Sequence, residues 1–532
     1  MTSFPQHRPV TLARRGMVAA PHYLAAEAGL ELLKAGGNAI DAAIAASAAL
    51  QVVYPFLCGL GGDVFMLIYD AKSGNLYGLN GSGRSARMAT IERYAELGYT
   101  TMPVFGMHAV TVPGCASGWE AAMQRFGRLG LAGALAPAIA YAEEGFAVGP
   151  GLHAALTAGS ARTEFHRSWH AHFLPDGVVP PVGAIARFPT LARTLHAIAK
   201  TGSETFYRGE IAEQIAAFFA REGGLISRDD LAAHQSEWVT PLSVPFAGLR
   251  VYELPPNTQG VTALQMLGMI DQLPLGADAL APETVHLSVE AKKVAFADRV
   301  AYLTDVAHMH VNPAALIDPD YLAQRRALID PTRAQPSYVP SSFTGDTIYL
   351  CTADKEGNVV SLIQSNYMGF GSGVVVEDTG IVLQNRGAYF SLDPAAANAL
   401  APAKRTLHTL IPSIALRDGR PAMVFGAMGG DGQPQTHLQV YTAVARFGLN
   451  IQQAIEMPRW IHGDTPAGET LLVESRFPPT TLAVLQQLGH RVQEQGMWTS
   501  AMGHANGIVF DAATGVMQGG SDPRAEGIAA GW

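Results

Sequence analysis

Cysteine is scarce in this chain. Three occur in 532 residues, Cys58, Cys115 and Cys351, and no two stand at CxxC spacing. That excludes a disulfide framework and a thiolate metal cluster and points to a reducing compartment. Charge is sparse as well, at 15% of residues with a net of −9, which argues against nucleic acid or an anionic membrane as partner. Long apolar runs are missing. The most apolar stretch, 39–60, contains Asp41, Ser47, Gln51 and Pro55, which fits a buried alanine-rich helix and not a membrane span. The first twenty residues, MTSFPQHRPVTLARRGMVAA, have no apolar core before a cleavage site, so no signal peptide is read and a cytoplasmic location is expected. There is no HExxH, no GxxxxGK[ST] and no GxSxG, which removes the common zinc, nucleotide and serine-elbow signatures. His166, His170 and His172 in FHRSWHAHF are close in sequence but sit on a polar helix or loop. No metal and no cofactor are expected.

What remains is core-forming material. Hydrophobic residues make up 48% of the chain, and 56 glycines suggest backbone packed closely on backbone. The length allows two to four average domains or one interlocked unit. The pattern predicts a strand at 16–20, helices at 22–35 and from Asn38 onward, a strand at 63–70 with a hairpin partner at 75–80, and a strand at 108–112. Residues 117–330 read as mostly helical, interrupted by a hairpin at 242–254. Residues 330–346, DPTRAQPSYVPSSFTGD with its first Asp at 330, read as exposed and flexible. Beyond 347 strands dominate, at 347–353, 359–365, 380–384, 412–417, 421–426 and 471–473. Helices at 436–447 and 478–488 and a final hairpin at 505–519 complete the pattern. Strand blocks between helix blocks predict stacked sheets covered by helices.

The stretch with the most chemical content is FTGDTIYLCTADKEGNVVSLIQSNYMGFGSG, 343–373. It reads as two strands joined by a turn and followed by a glycine-rich loop. The loops 369–373 and 59–62 fit no strand–GxGxxG–helix unit and read as tight turns against a cavity. Thr347 opens the first strand. On the residues alone, such a threonine is ordinarily only a strand residue, and a nucleophilic role stays one alternative.

Several motifs taken together resemble the γ-glutamyltranspeptidase family. They are GGNAIDAA (36–43), GLGGDVF (59–65), VPGCASGW (112–119), PPNTQG (255–260), HLSVEAKKVAFADR (286–299), the stretch 347–373, KRTLHTLIPS (404–413), GAMGG (426–430) and GSDPR (520–524). The resemblance spans the whole chain. It implies an α+β fold, the N-terminal-nucleophile hydrolase αββα sandwich, in which two stacked, mainly antiparallel sheets are covered by helices. It also implies self-cleavage between Asp346 and Thr347. The cut would leave a large subunit, 1–346, and a small one, 347–532, that stay associated as one interlocked unit. Thr347 is then the nucleophile, Gly429 and Gly430 form the oxyanion hole, and Asn366 contacts substrate.

The chain departs from members that take γ-glutamyl groups at three places. The arginine that holds their substrate carboxylate aligns with Ser82, leaving Arg84 or Arg87 nearby. The aspartate that binds their substrate amine is Tyr389, and a paired serine motif is His408-Thr409. The pattern is similar to a subgroup described as cephalosporin-acylase-like or oxamate-amidohydrolase-like. Arg84 and Arg386 suit a small carboxylate such as oxamate, since a guanidinium clamps one bidentately. Three readings follow: a self-processing hydrolase of a small non-glutamyl amide, a γ-glutamyl hydrolase or transpeptidase acting on glutathione-like substrates, and an unprocessed binding protein. A homo-oligomer is compatible with each.

Overall fold

A computed structural model describes residues 4–339 and 345–532. Two seven-stranded sheets form its centre. In the first, the strand order is Thr11–Ala13, Met517–Ser521, Ala505–Phe510, Arg420–Ala427, Ser413–Arg417, Leu249–Glu253 and Leu242–Phe246. In the second, it is Ile528–Gly531, Gly16–Ala20, Asp346–Asp354, Val359–Tyr367, Asp63–Asp70, Asn75–Gly81 and Glu237–Val239. All neighbours within both sheets are antiparallel. Each sheet takes strands from before and after position 346, so the two stretches of chain interlock.

Alternation along each strand decides what faces what. In Asp346–Asp354, Tyr349, Cys351 and Ala353 join Met17, Phe65, Leu67, Ile414, Val424 and Ile508 in a core between the sheets. The alternate residues Ile348 and Leu350 face outward and pack with the helices Tyr23–Lys34 and Ala39–Val53. The outer face of the first sheet contributes Val251, Ala415, Met423 and Phe425 to a core with the helices Gly260–Ile270, Pro282–Tyr302 and Gln433–Tyr441. The layers are therefore helix, sheet, sheet, helix.

Ala39–Val53 shows why alanine is needed there. All fifteen residues are buried. Its start is set by a capping box in which the Asn38 side chain accepts from the Asp41 N–H and Asp41 accepts from the Asn38 N–H. The Thr352 hydroxyl donates to the Ala39 carbonyl at 2.6 Å and the Ala39 N–H donates to Asp354 at 3.0 Å, which pins the helix to the second sheet.

Some local expectations change. The strand predicted at 108–112 is a short 3₁₀ turn, Met107–Ala109, followed by extended chain without a ladder. The Val112 N–H donates to the Arg84 carbonyl and the Gly114 N–H to that of Gly62, so loops and not a sheet satisfy this backbone. The hairpin expected at 242–254 is the edge of the first sheet. Glu237–Val239, just before it, closes the second sheet and carries no strong strand pattern. The strand expected at 471–473 is the middle of a small sheet with Trp460–Thr465 and Val492–Gln495. Residues 331–339 are neither helix nor strand, and the remainder of the expected flexible segment, 340–344, lies outside the described residues. Among the described residues no helix is long and apolar enough to cross a membrane.

Candidate active site

The central strands of the second sheet end side by side. Asp346 pairs with Tyr367, with an irregularity between Asp346 and Ile348, and Ser365 pairs with Asp63. This brings together side chains that lie far apart in sequence. The Thr347 hydroxyl lies 2.6 Å from the carbonyl oxygen of Asp346 and 3.2 Å from Ser365 Oγ. Ser365 Oγ lies 2.6 Å from the same carbonyl and accepts the Tyr367 N–H at 2.7 Å. A hydroxyl has one proton to give and two lone pairs. Ser365 can accept from Thr347 and from the Tyr367 N–H while donating to the Asp346 carbonyl. In that arrangement one hydroxyl proton runs from Thr347 Oγ1 to Ser365 Oγ and another from Ser365 Oγ to the Asp346 carbonyl. Thr347 and Ser365 are each 1% exposed, so water does not compete. Burial also pushes the Asp346 carboxyl up to about 6, against the opposing pull of the Gly369 N–H.

The first sheet supplies the opposite wall. Its strand Arg420–Ala427 runs into Gly429 and Gly430, which adopt φ values of +136° and +51°. Only glycine takes both without strain. A methyl group added at Gly345 would stand 2.8 Å from Gly430 Cα and 3.3 Å from the Tyr367 ring. The Gly429–Gly430 turn thus presses on the residues just before Thr347. The Gly429 and Gly430 N–H groups meet no acceptor among the described residues.

Arg386 is buried beside this point. Its guanidinium lies 4.0 Å over the Tyr367 ring and donates through Nη1 to Thr409 Oγ1 at 3.2 Å. Its Nε and Nη2 have no hydrogen-bond partner among the described residues. Burial lowers the basicity of this guanidinium. His408 Nε2 lies 3.0 Å from Asp63 Oδ2, and the Leu410 N–H reaches His408 Nδ1 at 3.4 Å. That leaves the proton on Nε2, facing Asp63. Burial holds His408 well below its ordinary value and pushes Asp63 up to about 7, with Arg386 opposing the latter. Tyr389 donates its hydroxyl to Asp431, which also accepts from Arg299. Asn366 is buried with neither side-chain polar atom bonded among the described residues.

The sequence-predicted residues do not all converge. Arg84 is at the surface, paired with Asp305 at 2.9 Å and Glu237 at 3.2 Å, and also donates to the Ala403 carbonyl. It lines a separate cavity of about 160 Å³ with Arg87, Asp230 and His234. Of the two arginines singled out together, only Arg386 lies beside Tyr367. The glycine loop 59–62 packs on backbone: methyl groups at Gly61 and Gly62 would fall 2.1 Å from the Val382 carbonyl and 2.3 Å from that of Ser365. Ser365 was legible only as a strand residue. Its one available signal is register, since an antiparallel hairpin places it beside the residues around 347.

His166 contacts Ser168 and Glu222, whereas His172 stacks on Phe188. One buried grouping, His286, Glu290 and His490, has metal-like spacing. Its donors are already committed, with His286 Nδ1 2.8 Å from His490 Nε2, and Glu290 holding Lys293 and the Gln335 N–H. It reads as a structural network.

Comparison with known proteins extends over the whole chain. The gamma-glutamyltranspeptidase family model matches residues 25–532. An oxamate amidohydrolase proenzyme from Klebsiella pneumoniae is 42% identical, covering 98% of this chain and 99% of its own length. A glutathione hydrolase-like proenzyme from Bacillus subtilis is 39% identical, with the same coverages. The crystal structure of a cephalosporin acylase from Bacillus halodurans superposes with a TM-score of 0.93 at 43% identity, covering 100% of this chain and 98% of that one.

Proposed function

The chain belongs to the gamma-glutamyltranspeptidase family and is an amide hydrolase of the N-terminal-nucleophile type; we propose that Thr347 is its nucleophile, uncovered when the chain cuts itself between Asp346 and Thr347. The observation that carries this reading is the Thr347 hydroxyl 2.6 Å from the Asp346 carbonyl oxygen, with Ser365 bridging the two. The hydroxyl oxygen adds to the carbonyl carbon while its proton passes toward Ser365. The C–N bond then breaks, its nitrogen takes up a proton, and Asp346 is left as an ester on Thr347 Oγ1. Water opens the ester. The products are an Asp346 carboxylate and a free α-amine on Thr347.

That amine has an ordinary pKa of roughly 7.7–8.0 and so can act as the base for the Thr347 hydroxyl near neutral pH. The mature Thr347 attacks a substrate amide, the amine or ammonia leaves with a proton, and water releases the acyl group. The Gly429 and Gly430 amides receive the developing oxyanion. Residues 1–346 and 347–532 then act as two associated subunits.

The acyl group is a small carboxylate-bearing one, such as that of oxamate. Arg386 supports this, because a buried guanidinium with two nitrogens that have no partner among the described residues suits an anion. Tyr389 supports it too. Its hydroxyl is committed to Asp431, so this position offers no carboxylate to a substrate ammonium. The relative named as an oxamate amidohydrolase points the same way. A second reading, hydrolysis of a γ-glutamyl amide, is favoured by the relative named glutathione hydrolase-like.

On a denaturing gel the protein of 56.3 kDa should run as bands of about 37 and about 20 kDa, in proportion to residue number. Thr347→Ala should run as one band and release no ammonia from oxamate. Two bands from Thr347→Ala would refute the cleavage site. Turnover of a γ-glutamyl anilide without turnover of oxamate would refute the acyl group.

A further inference from the structure

Gly430 is held from behind by a buried polar chain whose members come from three distant segments. Gln259 Nε2 donates to the Gly430 carbonyl at 3.0 Å and to the Thr409 carbonyl at 2.8 Å. Gln259 Oε1 accepts from Arg299 Nη1 at 2.8 Å. The same Nη1 donates to Asp431 Oδ1 at 2.7 Å, and Tyr389 donates its hydroxyl to that oxygen. Gln259 immediately precedes the helix Gly260–Ile270, Arg299 lies in the last turn of Pro282–Tyr302, and Asp431 follows Gly430 directly. Gln259, Arg299 and Asp431 are all buried.

The chemistry of the network fixes its direction. Arginine can only donate, so the amide of Gln259 must turn its oxygen to Arg299 and its nitrogen to the two carbonyls. The Gly430 carbonyl and the Asp431 side chain, on either side of one peptide bond, are thereby tied to a single guanidinium nitrogen. Phe296 lies under that guanidinium at 4.1 Å and limits its movement. Gly429 and Gly430 have no side chains with which to lock themselves, and glycine is the most mobile backbone residue. Donors aimed at a transition state must be held to within about 0.5 Å. Their rigidity therefore has to be supplied by neighbours.

We propose that Arg299, acting through Gln259 and Asp431, is a positioning residue that sets the Gly429 and Gly430 amides for acyl transfer. This rests on the reading of Thr347 and the two glycines given above. An ion pair serving only the fold would need Asp431 alone. Here the same nitrogen is shared with a glutamine whose other end terminates on the Gly430 carbonyl. Self-cleavage draws on a different donor, since Ser365 already bonds the Asp346 carbonyl. Turnover and maturation should therefore respond differently to loss of the network.

Gln259→Met tests this, because methionine has nearly the same shape and no donor. The variant should mature to two chains, keep KM for the amide that the wild type hydrolyses within about twofold, and lose about 10- to 100-fold in kcat. Mature Gln259→Met with wild-type kcat overturns the proposal. So does a loss of kcat fully accounted for by fewer active sites, titrated from the burst of first product. Should Gln259→Met remain a single chain, Arg299→Lys is measured by the same criteria. Failure of both to mature overturns the proposal as well, because the network would then serve the precursor's fold. Thr347→Ala is the separate control: turnover by it refutes the nucleophile, whatever Gln259 does.

Discussion

Replacing Ser365 with alanine removes a hydroxyl that makes three contacts at the Asp346–Thr347 bond. It donates to the Asp346 carbonyl at 2.6 Å, lies 3.2 Å from Thr347 Oγ1 and accepts the Tyr367 N–H at 2.7 Å. In the proposed self-cleavage, the first contact stabilises charge on the carbonyl oxygen as Thr347 adds. Loss of one such donor typically costs about 10²–10³ in rate, or roughly 3–4 kcal/mol in the barrier. The third contact concerns stability. Without Ser365 the Tyr367 N–H loses its 2.7 Å bond to that hydroxyl, a net loss of about 0.5–1.5 kcal/mol. Ser365→Ala should therefore fold, with a lowered Tm, and mature about 10²- to 10³-fold more slowly than the wild type.

The assay is a time course of freshly synthesised chain on a denaturing gel, with the half-time of the full-length band as readout. Ser365→Thr restores a hydroxyl on a β-branched residue suited to a strand, and maturation should recover in large part. Maturation of Ser365→Ala at the wild-type rate would refute the relay. Equal slowing in Ser365→Thr and Ser365→Ala would show that shape rather than the hydroxyl matters.

Two further outcomes follow from the same geometry. Arg386→Ala should lower kcat/KM for oxamate by about 10- to 150-fold, the loss of one charge-assisted contact of roughly 1.5–3 kcal/mol, with maturation unaffected; steady-state ammonia release checks it, and unchanged kinetics would remove Arg386 from the acyl site. Stability should fall in acid. Burial holds His234, His437, His462 and His490 near 3, against an ordinary 6.5. The unfolded chain binds protons at these sites as pH drops below 6.5 while the folded chain does not, so their contribution is fully present above 6.5 and lost as pH falls toward about 3. Each site contributes a slope of up to about 1.4 kcal/mol per pH unit within that window. Burial raises Asp63 and Asp346, which act in the opposite sense, so urea midpoints from pH 7 to 4 are compared between wild type and His437→Gln; equal pH slopes would contradict it.

The parts of the protein that were legible in the sequence are those decided by near neighbours in the chain. Asn38 caps the helix Ala39–Val53 because its side chain reaches residues two and three positions on. The β-branched and aromatic run at 347–353 announces a strand because such side chains suit the pleated backbone. The motif order carried the family and the layered fold. Where local chemistry is weak, as at 108–112, the chain looked like a strand and is not one, because its hydrogen-bond partners are loops far away in sequence. Tertiary structure alone decided which of two similar arginines is committed. Arg84 meets Asp305 and Glu237 at the surface, while Arg386 lies over Tyr367 with two nitrogens that have no partner among the described residues, and nothing within several residues of either foretells this. The same holds for Ser365, brought to Asp346 across a strand pair, and for the chain from Arg299 through Gln259 to Gly430, which spans 171 positions between its last two members. Hydrogen bonds and charge pairs act through space over about 3–4 Å, and only the packed sheets determine which groups come within that range.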